Sequence, residues 1–526
     1  MTSSQIKTAV ERLRVEGAKR PREEKEQLGQ FLTPVGVAGL VASLFQSLSP
    51  SRTPLRLLDP GAGTGALSFA FVNWIVQQEH LPTDLEIVAV ELDKRLIPLL
   101  NETLKSCETL GATAGVRIRA NVVHSDFLKL CSEEAGLFAS RTLLREFTHV
   151  IMNPPYRKIA SESEERKLLS RNGIEVSNIY AGFVALGAEL LGQGGELAAI
   201  TPRSFCNGTY FKDFRRRLFS SMVLEAAHVF VSRQKAFSED SVLQENVIFA
   251  ARKTKAHPGC VSVRTSDGPG SAPTENLVPY STVLAPHDRD MVIHLPANDA
   301  GIQAMEFVTA LPERLESVGL SVSTGPVVDF RARKYLCVEP SDNTVPLLYP
   351  AHFSRNGIEW PKQGRKPNAI VVSPQTAWSL VPTGNYVLVK RFSSKEEKKR
   401  ITARVLESNQ LPPYSHVGLE NHLNFLHSEG RGLDSDLSFG LATYLNSTVV
   451  DVYFRQFNGH TQVNAGDLRM MRFPDVVTLR QLGVAAQEDR AAMYDQERVD
   501  ELVQQVIGSW RDHSNDFTKK CFDGSD

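Results

Sequence analysis

At 526 residues and 42% hydrophobic content, the chain is too long for one ordinary domain and can bury two cores. Its 59 Lys and Arg against 60 Asp and Glu leave a formal net charge of -1, which excludes a globally basic protein, so any nucleic-acid contact has to come from local patches. Cys107, Cys131, Cys206, Cys260, Cys337 and Cys521 are scattered without zinc-site spacing and read as reduced thiols, and no apolar run approaches membrane-spanning length.

The opening stretch from Thr2 to Gln27 is a polar helix candidate without a charged-then-apolar signal segment, so a soluble, cytoplasmic protein is expected. Gly29-Gln30-Phe31-Leu32-Thr33-Pro34 then precedes an apolar helix-like stretch, Val37 to Leu48, in which Thr33 would serve as cap and Pro34 would occupy the first turn. Leu55-Arg56-Leu57-Leu58 reads as a strand running into Asp59-Pro60-Gly61-Ala62-Gly63-Thr64-Gly65, after which Ala66 to Gln77 has helical composition. Strand, glycine loop and helix are the context of a nucleotide-type cofactor site. Gly61, Gly63 and Gly65 permit a tight turn, and the missing Gly-Lys-Ser/Thr ending argues against a phosphate-binding loop.

Leu85 to Asp93 is a second buried strand, with Glu91 roughly 20 residues beyond the loop, where an acid accepts the hydroxyls of a ribose. A dinucleotide site would look similar up to this point. The third strand end, Val122-Val123-His124-Ser125-Asp126-Phe127, offers an acid able to accept from an adenine amino group. The fourth apolar run, Thr148 to Met152, ends in Asn153-Pro154-Pro155-Tyr156, whose prolines stop the strand and leave the Asn and Tyr side chains at its carboxyl end. An amide oxygen and a backbone carbonyl make a pair of acceptors for an exocyclic amino group, with the Tyr156 ring as a stacking face. The chemistry suggested is nitrogen methylation.

Acids at three successive strand ends followed by this tetrapeptide resemble the class I S-adenosylmethionine-dependent methyltransferases, an α/β Rossmann-like fold. Gly-x-Phe-x-Thr-Pro ahead of the glycine loop resembles the N-terminal motif of the γ-class N6-adenine DNA methyltransferases. The likeness continues through Tyr180-Ala181-Gly182-Phe183, a helix to Leu191, and Gly195 to Pro202. Segments at Gln244 to Ile248, Lys390 to Glu397 and Gly459 to Arg469 look like those of PstI/BsuBI-type modification methylases, within the TaqI-like and Eco57I-like group. The resemblance implies that Asn153, Pro154, Pro155 and Tyr156 are catalytic. It implies that Phe31, Thr33, Pro34, Asp59, Gly61, Gly63, Gly65, Glu91, Leu92, Asp126 and Phe127 bind S-adenosylmethionine. It also implies a monomer acting on adenine N6 of double-stranded DNA after base flipping, without a metal, as the modification arm of a restriction-modification system whose endonuclease acts separately. An RNA adenine or protein glutamine methyltransferase is the first alternative, and a DNA-binding specificity subunit with an inactive methylase core is the second.

The rhythm of strands and helices lapses between Thr254 and Pro273, which places a catalytic domain at 1–255, a mixed α+β target-recognition domain at 256–480 and a helical tail at 481–526. Beyond that boundary Ile370 to Ser373 and Asn385 to Val389 look like strands, whereas Gly440 to Phe454 and Gln487 to Trp510 look helical. Two basic clusters, Arg203 to Lys235 and Lys390 to Arg404, are candidates for phosphate contact. Arg331, Arg333, Asn421, His422, Asn424, His460, Gln462 and Asn464 are candidates for base edges, and Arg203, Lys390, Arg391, His460, Gln462 and Asn464 are the residues nominated for DNA binding.

Overall fold

The computed structural model describes residues 3–19, 31–48, 54–134, 144, 146–230, 245–285, 288–354, 357–393, 397–411, 413–459, 461–490, 493 and 495–509. These divide into two compact units, the first ending at Ala297 and the second beginning at Asn298.

In the first unit, α1 (Ser3–Gly17) and α2 (Val35–Ala42) precede an alternation of strands and helices. It runs β1 (Leu55–Pro60), α3 (Ala66–Ile75), β2 (Asp84–Glu91), α4 (Ile97–Ala114), β3 (Arg117–His124), α5 (Phe127–Glu134) and β4 (Phe147–Met152). After α6 (Glu164–Arg171) and α7 (Ile179–Leu190) come β5 (Leu191–Pro202), α8 (Lys212–Phe219), β6 (Met222–Phe230), β7 (Asn246–Lys253), β8 (Cys260–Ser266) and β9 (Thr274–Pro279). All nine strands form one sheet in the order β3-β2-β1-β4-β5-β7-β6-β8-β9. β1 to β5 are parallel, and β7 enters antiparallel between β5 and β6. β1 and β4 are central and covered on both faces, which is why they read as nearly unbroken apolar runs. β3 lies at the sheet edge and exposes Arg117 and Arg119, which pair with Asp84. The strand order reverses between β1 and β4, and a crevice at the carboxyl ends there is where open α/β sheets take their ligands.

Helix α2 starts differently from the expectation. Its cap is Pro34, without a side-chain cap hydrogen bond, and the Val35 N–H is satisfied instead by the Glu11 carboxylate at 3.0 Å. Thr33 is thereby left for another task.

The boundary expected near residue 255 falls inside this unit. β8 pairs parallel with β6 from Ala226↔Ser262 to Phe230↔Ser266, and β9 pairs antiparallel with β8. Val261 and Val263 are fully buried, and the residues rich in Gly, Ser and Pro from Asp267 to Pro273 are the hairpin between β8 and β9. The segment Asp267 to Pro273 is thus a turn within the sheet, not an interdomain linker. Cys107, Cys131, Cys206 and Cys337 form no disulfide, whereas Cys260 is disulfide-bonded, contrary to expectation. Among the described residues no helix is long and apolar enough to cross a membrane.

The second unit is mixed α+β. Ser321–Thr324, Leu423–His427, Tyr386–Lys390 and Ala403–Leu406 form a four-stranded sheet, and a five-stranded sheet is built around Thr344–Leu348. The helix expected over Gly440 to Phe454 is two helices, Ser435–Leu445 and Thr448–Phe457, broken where the Asn446 amide pairs with both backbone groups of Ala403 at 3.0 and 2.9 Å. Among the described residues, those beyond 480 form no separate tail, because Val476–Glu488 packs closely on Ser435–Leu445. The backbones meet at glycines: a Cβ on Gly440 would overlap the Leu479 carbonyl, and one on Gly483 the Asp436 carbonyl.

Candidate active site

A cavity of about 360 Å³ lies where β1 to β4 end, a size within the range of about 300–1,000 Å³ usual for small-molecule sites. Of the residues nominated from sequence, Phe31, Gly61, Gly63, Glu91, Leu92, Asp126, Phe127, Asn153 and Pro155 line it.

The glycine loop is held by backbone and carboxylate together. Gly61, Gly63 and Gly65 have φ of 76, 57 and 84°, in the left-handed region that other residues avoid. Gly61 and Ala62 donate their N–H groups to the Val90 carbonyl at 2.8 and 3.0 Å, and Gly63 donates to Glu91 Oε2 at 2.7 Å. The other Glu91 oxygen accepts from the Asp93 N–H at 2.7 Å. Glu91 therefore fastens the loop to the end of β2 while facing the cavity, and burial raises its pKa.

Asp59 departs from its expected role. It is fully buried, outside the cavity walls, and its Oδ2 accepts from Ser68 N and Oγ at 3.2 and 2.7 Å, which pins the first turn of α3 beneath the loop. Its Oδ1 is buried without a hydrogen-bond partner among the described residues. Burial, with Glu91 adding to it, pushes the Asp59 pKa up to about 7. It supports the loop from beneath and does not line the cavity. Gly65 likewise serves the fold: it caps α3, and a Cβ would crowd Leu100 and Thr103 at 3.0 Å.

Asp126 Oδ1 accepts from the Leu128 N–H at 2.8 Å, capping α5, while Phe127 packs on Phe183 with ring centroids 5.0 Å apart. Phe183 and Leu32 also line the cavity, and sequence reasoning passed over both although each lies inside a motif quoted for the family likeness. Arg157, directly after the tetrapeptide, lines the cavity with Glu165 and donates to it at 2.6 Å, which holds the Glu165 pKa down.

Asn153 stands at the end of β4 in a network of its own. Its Nδ2 donates to the Phe31 carbonyl at 3.0 Å and to Thr33 Oγ1 at 2.9 Å. Its Oδ1 accepts from the Tyr156 hydroxyl at 2.8 Å, and that hydroxyl also lies 3.1 Å from the Ile200 carbonyl. Burial raises the Tyr156 pKa far above its ordinary value, so the phenol stays a donor. The Tyr156 ring is 6.2 Å from those of Phe31 and Tyr180. Thr33, Pro34, Pro154 and Tyr156 are outside the cavity walls.

The nominated DNA contacts fare unevenly. Arg203 is buried against Glu245, and Arg215 of the same cluster is fully buried on the carbonyls of Phe205, Gly208 and Asp290, so neither faces a phosphate. Lys212 is paired with Asp290 and Arg217 with Glu189. In the second cluster Arg400 is buried, and Lys399 donates to the Asn446 carbonyl. Lys390 is partly exposed and paired with Glu397 at 2.9 Å. Arg391 donates to the Asn421 carbonyl and to Gln462 Oε1 at 3.1 and 3.3 Å, so these two nominees form one half-buried pair. Asn464 opens the helix Ala465–Met470, donating its N–H and Nδ2 to Asp467 Oδ2 at 2.9 and 3.3 Å, and Asn424 is buried on Thr324 and Val463. Both serve the fold. His460, Arg233, Lys235 and Lys395 lie outside the described residues.

Apolar rings at Phe127 and Phe183, carboxylates at Glu91 and Asp126, and bare backbone at Gly61 and Gly63 suit a ligand that joins an aromatic base to a hydroxyl-bearing sugar. This fits S-adenosylmethionine, the cofactor of the class I methyltransferase fold that the sheet displays. The Eco57I restriction-modification methylase family matches residues 116–237. The type II methyltransferase M.BsuBI of Bacillus subtilis is 42% identical over 469 residues, 88% of this chain and 90% of that protein. The type II methyltransferase M.PstI of Providencia stuartii is 38% identical over 485 residues, 92% of this chain and 93% of its own length. Among solved structures, the type IIL restriction-modification enzyme MmeI in complex with DNA shares the fold, at 12% identity and a TM-score of 0.55 over 96% of this chain and 73% of that one. The chain belongs to the type II restriction-modification methyltransferases, alongside M.BsuBI and M.PstI.

Proposed function

We propose that this methyltransferase modifies adenine N6 in duplex DNA, at one short sequence, as the modification arm of a restriction-modification system. The observation that carries the reading is Asn153, an amide at the end of β4 and on the wall of the cofactor cavity, followed by the Pro154 carbonyl. Adenine N6 is a poor nucleophile because its lone pair is delocalised into the ring. Two acceptors, the Asn153 oxygen and the Pro154 carbonyl, bind both amino hydrogens, draw the nitrogen toward tetrahedral geometry and expose the lone pair. S-adenosylmethionine supplies an electrophilic sulfonium methyl group. Glu91, Asp126 and the glycine loop bind the cofactor, and the Tyr156 ring stacks on the target base. Because base pairing hides N6 in a duplex, the adenine is rotated out at a cost of a few kcal/mol, offset by stacking and backbone contacts.

The second unit selects the sequence, with Arg391 and Gln462 as its leading base-edge pair, and the enzyme works as a monomer on cytoplasmic DNA beside a separate endonuclease. Its relatives' type II names and the DNA-bound fold neighbour favour DNA as the acceptor. Incubation with labelled S-adenosylmethionine and, separately, long unmethylated DNA, ribosomal RNA and a peptide release factor tests the reading. Label in N6-methyladenine of DNA supports it; label only in RNA or protein, or none in any acceptor, refutes it.

A further inference from the structure

The Phe31 to Pro34 segment lies ahead of the glycine loop, where it invites assignment to the cofactor, yet the Thr33 side chain is buried away from the cavity walls. Its hydroxyl oxygen is 2.9 Å from Asn153 Nδ2, and the Phe31 carbonyl is 3.0 Å from the same nitrogen. Two acceptors thus take both hydrogens of the Asn153 amide. The Tyr156 hydroxyl is the matching donor on the other end of the amide, 2.8 Å from Oδ1. A side-chain amide can turn end for end with little change in shape, and the turned form would present N–H groups to an incoming amine, donor against donor. In the turned form Oδ1 would face the Phe31 carbonyl, which can only accept, and the Thr33 and Tyr156 hydroxyls would each have to reverse their donor and acceptor roles. We infer that Thr33 and the Phe31 carbonyl are positioning groups for Asn153, which lock its amide so that the oxygen, and not the nitrogen, meets the target amino group. This rests on the proposed amino-group methylation.

The same geometry assigns a second task to Tyr156. Its single hydroxyl proton has two acceptors in reach, Asn153 Oδ1 at 2.8 Å and the Ile200 carbonyl at 3.1 Å. While the site is empty of substrate the proton is shared with Asn153 and keeps its oxygen oriented. When a target N–H arrives at Oδ1, the hydroxyl can turn to Ile200 and leave Asn153 its full acceptor strength. The phenol's raised pKa keeps that proton in place throughout.

The test uses the full chain, tritiated S-adenosylmethionine and a long unmethylated duplex DNA, in which any short site recurs many times. Single-turnover methyl transfer at saturating cofactor and DNA is measured with Thr33→Val, which keeps the shape and removes the oxygen, and with Thr33→Ser, which restores it. Equilibrium affinity for S-adenosylmethionine is measured on the same preparations, after thermal melts show them folded. Thr33→Val is expected to slow transfer roughly tenfold, the equivalent of about one net hydrogen bond, with cofactor affinity within threefold and the rate recovered in Thr33→Ser. Tyr156→Phe approaches the same amide from its other end and is expected to slow transfer by a similar factor, which keeps the test decisive should Thr33→Val fold poorly. A loss of cofactor affinity as large as the loss of rate makes Thr33 a cofactor ligand and overturns the inference. Unchanged rates in both Thr33→Val and Tyr156→Phe overturn it as well. Failure of the wild-type chain to methylate any DNA amino group would instead refute the underlying reading, so the two failures are told apart.

Discussion

Two groups at the carboxyl ends of β2 and β4, on either side of β1, divide their work in a way that mutation can separate. Asn153→Ala is expected to abolish methyl transfer while leaving S-adenosylmethionine affinity within a few-fold, because the proposed task of the amide is to bind the target amine. Glu91→Ala is expected to weaken cofactor binding by roughly 1.5 to 3 kcal/mol, since Glu91 both faces the cavity and holds the Gly63 N–H. Calorimetric titration and turnover on the same preparations check both. Asp59 gives a pH signature. Its carboxyl, buried and pushed up to about 7, holds a proton in the folded chain that the unfolded chain releases near the ordinary value of 3.8. The stabilisation is full below pH about 4 and is lost as pH rises toward 7. Asp59→Asn should therefore flatten the fall in melting temperature across that window relative to wild type; parallel curves would contradict the raised pKa. Sequence located Glu91 by its place at the end of an apolar run beyond the glycine loop, and Asn153 by the prolines that stop the fourth run behind it. It could not assign Thr33, whose partner lies 120 residues away, or Arg203, which a basic cluster advertised and Glu245 neutralises.

At the scale of elements, the parallel core was readable because central strands are apolar on both faces and each ends in a turn or an acid. The terminal hairpin of the sheet was not, since Asp267 to Pro273 has the composition of a linker although Val261 and Val263 alternate as a half-buried strand should. The C-terminal helices were read as a tail because nothing local says what a helix packs on. Gly440 and Gly483 hold that information: one lies in each of two helices whose backbones touch. Gly440→Ala or Gly483→Ala forces the helices apart and is expected to destabilise the second unit by roughly 1–3 kcal/mol, the usual range for overpacking. Chemical denaturation measures it, and a neutral alanine at both positions would contradict the close crossing.

For the whole molecule, the unit boundary at Ala297 changes which fragment is worth making. A fragment ending at residue 255 would strip β8 and β9 from the sheet, whereas one ending at Ala297 keeps all nine strands. The longer fragment is expected to bind S-adenosylmethionine, if shown to be folded, but to lose selectivity among duplexes, because base-edge readout is assigned to the second unit. Selective binding by that fragment would reverse this division of labour. The full chain's affinity should fall as salt rises, through counterion release at phosphate contacts. The most direct test of the account is to express the full chain, and separately its Asn153→Ala variant, in cells free of adenine methylation and to map modified bases across the genome by single-molecule sequencing. The account predicts N6-methyladenine in one recurring short sequence with the wild-type chain and none with the variant. Modified cytosine, methylation without a common sequence, or an unchanged pattern in Asn153→Ala would contradict it.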